Sequence, residues 1–130
     1  IMSTFLKIYG VAFIIFFVVD ILWLSLIAKK LYAKHLGAFL GPVKWVPAIL
    51  FYLFFVAGLV FFVIQPALLK DSLTYVIFAG MFFGFITYAT YDLTNLATLN
   101  NWPLNITIID LIWGSILGGT VSTLSYLIFR

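Results

Sequence analysis

The sequence predicts an all-α protein in which four transmembrane helices pack as an up-down bundle. Three observations carry that prediction. Four apolar stretches are each long enough to cross a hydrocarbon core, which takes about 20 helical residues for about 30 Å. Clusters of Pro, Gly, Asn and Lys separate them, with no long polar segment between. The composition, 65% hydrophobic and 20% aromatic with 8% charged residues, is far from that of a soluble globular chain. A length of 130 residues suits one membrane domain.

The first span covers residues 5–27. Its apolar region is too long for a signal peptide, it contains Asp20, and no small-x-small site follows, so it is expected to stay in the membrane. The first connection, residues 28–45, is the longest. Leu31, Leu36 and Phe39 alternate there with Lys30, Lys34 and His35, with Tyr32 beside them. The pattern reads as a helical extension of span one or as a segment lying in the interface, its lysines reaching headgroups. Lys29, Lys30, Gly41, Pro42 and Pro47 bracket this connection, and Pro47 suits the first turn of span two, residues 46–64. Gln65-Pro66 is expected to end that span. Asp71 or Ser72 can cap span three, residues 72–96. Asn100-Asn101-Trp102-Pro103 makes the last turn, with Asn105 as the expected cap of span four, residues 106–129. Gly80-xxx-Gly84 and Gly114-xxx-Gly118 are small-xxx-small patterns that let spans three and four approach closely.

Several function classes are excluded or disfavoured at once. Cysteine is absent, so there is no disulfide framework, thiolate nucleophile or Cys-ligated metal. The net charge is +3, with basic residues at span ends, which suits anionic lipid headgroups. Nucleic acid is not an expected partner, because it would need a contiguous basic face. Lys29, Lys30, Lys34 and Lys44 fall on one side, and Lys7, Lys70 and Arg130 on the other. That margin leans towards a cytoplasmic first connection.

The candidate site begins with the acids. The chain has four, and only Asp71 falls where a loop is expected, while Asp20, Asp92 and Asp110 lie inside apolar spans. A carboxylate at the centre of a spanning helix costs about 2.5–3.5 kcal/mol on insertion scales. At ~1.5 Å per residue, Asp20 lies roughly 13 Å below Lys29, Asp92 about 12 Å below Asn100, and Asp110 about 8 Å below Asn105. All three therefore fall in one leaflet, beneath the first and third connections. At ~100° per residue, Gly84, Thr87, Tyr88, Tyr91, Asp92, Asn95 and Thr98 share one face of span three. Thr107, Asp110, Gly114 and Gly118 share a face of span four, with Trp113 at its margin. Phe13, Phe16, Asp20, Trp23 and Ile27 do so on span one, and Tyr52 reaches the same depth from span two.

The expected site is thus a polar pocket of Asp20, Asp92, Asp110, Thr94, Asn95 and Tyr52, walled by Trp23, Tyr88, Tyr91, Trp102 and Trp113. No lysine or arginine lies within the spans, so the negative charge must be met by protons, by a bound cation, or by Lys29, Lys34 or His35 dipping inward. No cofactor or metal is expected. Were a metal to bind, Asp20, Asp92 and Asp110 would hold it, and oxygen ligation suits Mg²⁺, Ca²⁺ or Mn²⁺ better than zinc. His35 reads as an interfacial residue rather than a ligand.

Segments across essentially the whole chain also carry a family resemblance. Val19-Asp20-Ile21-Leu22-Trp23-Leu24, the run from Tyr88 to Thr98 (YATYDLTNLAT), Trp102-Pro103 and Asp110-Leu111-Ile112-Trp113-Gly114 resemble the DUF2177 family, as do Phe51-Tyr52-Leu53 and Gln65-Pro66-Ala67. The resemblance implies a small four-span protein of the bacterial inner membrane. Members are often encoded near genes for fatty-acyl modification and stress response, which implies membrane lipid as substrate or ligand. The family's motif positions coincide with the three aspartates and their neighbours.

Three functions fit these residues. The first is a site that binds, and in one version modifies, a membrane lipid or small apolar ligand, with the aspartates as candidate catalytic acid and base. The second is a proton- or cation-coupled transporter, since intramembrane acids serve proton relays. The third is a structural or assembly subunit, including a homo-oligomer, in which the acids pair with another chain.

Overall fold

The computed structural model describes residues 2–36 and 44–130, with the side chains of Met2, Ala28 and His35 left out. The expectations for Phe39, Gly41, Pro42 and the His35 side chain lie outside the described residues. Among those residues the structure is all-α, in this order: α1 Met2–Trp23, a first π turn Leu24–Ala28, α2 Lys29–Leu36, α3 Trp45–Leu59, a second π turn Val60–Ile64, α4 Gln65–Lys70, α5 Leu73–Thr98 and α6 Leu104–Phe129. Among the described residues four helical runs are long and apolar enough to cross a membrane: Ser3–Ile27, Trp45–Lys70, Leu73–Thr98 and Leu104–Phe129. The shortest has 25 residues, about 38 Å at ~1.5 Å per residue, which exceeds a hydrocarbon core of about 30 Å.

Span one does not stop at its lysines. Backbone dihedrals stay helical through Trp23 and Lys29, and α2 continues the same helix, so the start of the first connection is the helical extension. Leu36 on α2 packs with Trp102 and Ile106, which folds the extension against the α5–α6 turn.

Span two differs from expectation at its far end. The helix runs through Gln65-Pro66 to Lys70. Proline has no N–H and crowds the preceding turn, which ordinarily kinks or breaks a helix. Here the widened π turn lies immediately before it and takes up the misfit. One carbonyl of that turn, Phe62, accepts the Tyr75 hydroxyl at 3.0 Å. The helix then ends at Asp71, left-handed at φ 50°. Ser72 caps α5, its hydroxyl accepting from the Tyr75 N–H at 3.0 Å. Asn105 does not cap α6. Pro103 holds that position with extended backbone (φ −70°, ψ 128°), and Asn101 makes the preceding left-handed turn at φ 62°.

The most extensive contact is α5 on α6. The small-xxx-small residues face one another there. A Cβ on Gly80 would lie 2.8 Å from the Gly118 carbonyl oxygen, and one on Gly114 would lie 2.6 Å from the Gly84 carbonyl oxygen. Only glycine permits this approach. α1 packs on α3 and α6, and α5 packs on α6 and the second π turn, so spans one and three occupy opposite corners. The core runs down the middle through Ile8, Ala12, Phe16, Phe55, Val56, Leu59, Leu117 and Val121. Large apolar side chains such as Leu26, Phe54 and Phe62 point outward, the arrangement expected of a surface solvated by lipid.

Candidate functional site

Near the α2 end of the bundle the helices part to leave a cavity of about 590 Å³. Each wall follows from helical phase. α1 supplies Asp20 and Trp23, which are three residues apart and so adjacent on one face. α3 supplies Phe51 and Tyr52. α5 supplies Thr87, Tyr88 and Tyr91, again at three- and four-residue spacing, and α6 supplies Asp110 and Trp113. Tyr32 and Leu36 of α2 close over them.

The aromatic walls are ordered by ring contacts. Trp23 and Trp113 stack across the α1–α6 seam with centroids 4.4 Å apart and planes within 8°. Phe51 meets Tyr88 edge-on at 6.4 Å, and Tyr52 meets Phe16 edge-on at 5.2 Å. Tyr91 meets Trp102 edge-on at 5.8 Å. Two polar groups stand among these rings. Asp20 faces the Tyr52 hydroxyl. The Tyr32 hydroxyl donates to Asp110 Oδ1 at a short 2.5 Å. Tyr32 lies outside the spans, and burial together with the adjacent Asp110 carboxyl raises its phenol well above the usual 10.0.

Of the expected site residues, the structure brings Asp20, Trp23, Tyr52, Tyr88, Tyr91, Asp110 and Trp113 to the cavity wall. Four others are placed elsewhere. Asp92 is fully buried beside Asp110, behind the wall rather than on it, and neither of its oxygens has a hydrogen bond of good geometry. Trp102 is buried next to Asp92, and its indole N–H donates to Thr107 Oγ1 at 3.2 Å. Asn95 is half-buried near the Tyr91 hydroxyl. Thr94 is exposed, because two residues of helix turn it about 200° away from Asp92. The acids therefore divide into an Asp92–Asp110 pair and a separate Asp20, with Tyr88 between the two groups. No group of three or more His, Cys, Asp or Glu among the described residues converges closely enough to hold a metal ion. An Asp20–Asp92–Asp110 metal set is accordingly set aside.

Sequence reasoning missed Tyr32, Leu36, Phe51 and Thr87 as wall residues, and with them Leu24, Pro47 and Ala48. Tyr32 is twelve positions from Asp20, which leaves it roughly 120° off the Asp20 face in a regular helix. The first π turn absorbs one extra residue between them and rotates Tyr32 back to within about 20° of that face. No residue pattern announces such a turn. Thr87 lay on the correct face and is adjacent to Tyr88, so phase alone was enough to find it.

No solved structure matches the chain, and no curated protein does either. A family model described as a predicted membrane protein, DUF2177, matches residues 5–127, from the start of span one to the end of span four. With that match and four helices able to span a bilayer, the chain is an integral membrane protein and belongs to the DUF2177 family.

Proposed function

We propose that this protein binds a membrane lipid or another apolar amphiphile of the bacterial inner membrane in the cavity between α1, α3, α5 and α6. The observation that carries this reading is the cavity itself. At about 590 Å³ it is in the range of small-molecule sites, about 300–1,000 Å³. Its wall is mostly aromatic and aliphatic, with few polar side-chain groups: Asp20, Asp110, Thr87, the tyrosine hydroxyls and the indole N–H groups of Trp23 and Trp113. Such a surface takes an apolar body and orients it by one polar end. Helices in a bilayer gain little by burying apolar side chains against one another when lipid is equally apolar. A cavity that keeps buried carboxyls open to it is better explained by an occupant than by packing.

Native mass spectrometry of the protein released from native membranes tests this. Wild type is expected to retain a bound amphiphile, and Ala48→Trp, which fills the cavity from the α3 wall without touching an acid, is expected to lose it. A wild type that retains nothing, or an Ala48→Trp variant that retains the same molecule, overturns the reading.

A further inference from the structure

Among the described residues the cavity's two acids have no basic partner, and that points to the chemistry of its occupant. Asp20 is 8% exposed and Asp110 5%, so both residues are more than nine-tenths buried, and both line the cavity. No lysine or arginine is on the wall, and among the described residues no basic group stands beside either carboxyl. Tyrosine hydroxyls face each of them, which supplies hydrogen bonds but no counter-charge. With these acids, the aromatic rings of Trp23, Trp113, Tyr88 and Phe51 line the cavity, Trp23 and Trp113 stacked on each other and Phe51 edge-on to Tyr88. Aromatic faces with a carboxylate at hand are the surroundings in which quaternary and primary ammonium groups are recognised. An anionic head would meet two acidic side chains and no basic group on the wall. A bare metal ion would lack a first shell, since no three acidic or His ligands converge among the described residues.

We infer that the cavity recognises an organic ammonium group carried on an apolar tail. This rests on the reading of the cavity as an amphiphile site and adds the charge of the head. The ammonium sits between Asp20 and Asp110 against the aromatic faces, and the tail leaves along the apolar wall. Two sources share this chemistry: an aminolipid of the surrounding bilayer, and a soluble single-chain amine.

The experiment titrates the purified full chain, in maltoside micelles, with dodecyltrimethylammonium, dodecanol and dodecanoate, which share a tail and differ in head charge. The ammonium is expected to bind at least about tenfold more tightly than the alcohol, or about 1.4 kcal/mol, and the carboxylate more weakly still. Asp20→Asn and Asp110→Asn are each expected to reduce that preference, while Asp71→Asn, at the opposite end of the bundle, leaves it unchanged. Circular dichroism and thermal unfolding of each variant establish that it is folded, and Asp20→Glu, which keeps the charge, is expected to retain the preference. A second arm offers phosphatidylethanolamine and phosphatidylglycerol together in nanodiscs and reads the retained lipid by native mass spectrometry. Retention of the ethanolamine lipid assigns the head to the bilayer, and binding of the single-chain amine alone assigns it to a soluble source. Equal binding of ammonium and alcohol, or a preference indifferent to both Asp→Asn changes, overturns the ammonium inference and leaves the amphiphile reading standing. Binding of none of the probes in either arm overturns both.

Discussion

Gly114→Ala measures how tightly the α5–α6 contact is drawn and whether that contact shapes the site. The new Cβ would lie 2.6 Å from the Gly84 carbonyl oxygen and 2.8 Å from the Tyr88 ring. Restoring an ordinary contact of 3.4 Å to the Gly84 backbone requires about 0.8 Å of separation. Backbone cannot swing aside as a side chain can, so the whole crossing must open. Overpacking of this kind costs about 1–3 kcal/mol. Alanine's better helix propensity returns up to about 1 kcal/mol, leaving a net loss of about 0–2 kcal/mol, and a gap of about 1–3 kcal/mol from a glycine replaced in open space. Tyr88 is displaced in the same event, so the cavity changes shape and amphiphile affinity falls with stability. Two glycines calibrate the measurement. A Cβ on Gly10 meets nothing within 4 Å, so Gly10→Ala is expected to be neutral or slightly stabilising. A Cβ on Gly119 meets Met81 Cγ at 2.7 Å, the middle of a flexible side chain, so its cost falls between the two. The assay is reversible unfolding in mixed detergent micelles of increasing dodecyl sulfate fraction. A Gly114→Ala protein as stable as Gly10→Ala would refute the close crossing and the argument built on it.

Tyr126→Phe removes the hydroxyl that donates to Asp71 Oδ1 at 3.1 Å. It is expected to lower stability in the same unfolding assay, with ligand binding unaltered at the far end. Tyr75→Phe leaves the Phe62 carbonyl without its hydroxyl partner in the π turn, and a loss of about 0.5–1.5 kcal/mol is expected. Tyr32 has a phenol raised in the folded protein, so its contribution is fully present below the unfolded value of 10.0 and is lost as pH rises beyond it. Stability measured against pH should therefore decline above pH 10 more steeply in wild type than in Tyr32→Phe. Identical slopes would contradict the placement of Tyr32 against Asp110.

Much of this architecture was legible in the sequence because a membrane imposes few solutions. Hydrocarbon forces each apolar run to satisfy its own backbone, so length and hydropathy place spans at 5–27, 46–64, 72–96 and 106–129, where the structure has Ser3–Ile27, Trp45–Lys70, Leu73–Thr98 and Leu104–Phe129. The glycine spacing likewise located the α5–α6 crossing, since side-chain-free positions one turn apart have one evident use. Phase placed Asp20 and Asp110 on facing surfaces. It brought Asp92 to Asp110 but not to the cavity wall, because Asp92 and Tyr91 are about 100° apart and packing decides which of them reaches the cavity. Thr94 was chosen for polarity against its own helical phase, and the structure follows the phase. The end of span two was misread because Pro66 is a strong breaker signal, and only the π turn before it reveals why the helix survives. The π turns were illegible in general. They arise where tertiary packing tolerates an extra residue, and no local composition marks them.

The central claim is that Asp20 and Asp110 face one occupied, aromatic-walled cavity. A high-resolution density map of the protein in native-lipid nanodiscs tests it most directly. The account predicts elongated density along the wall formed by Trp23, Trp113 and Tyr88, with its head within hydrogen-bond distance of Asp20 or Asp110. A collapsed cavity, with both carboxyls engaged only by protein groups and no density between them, would contradict it.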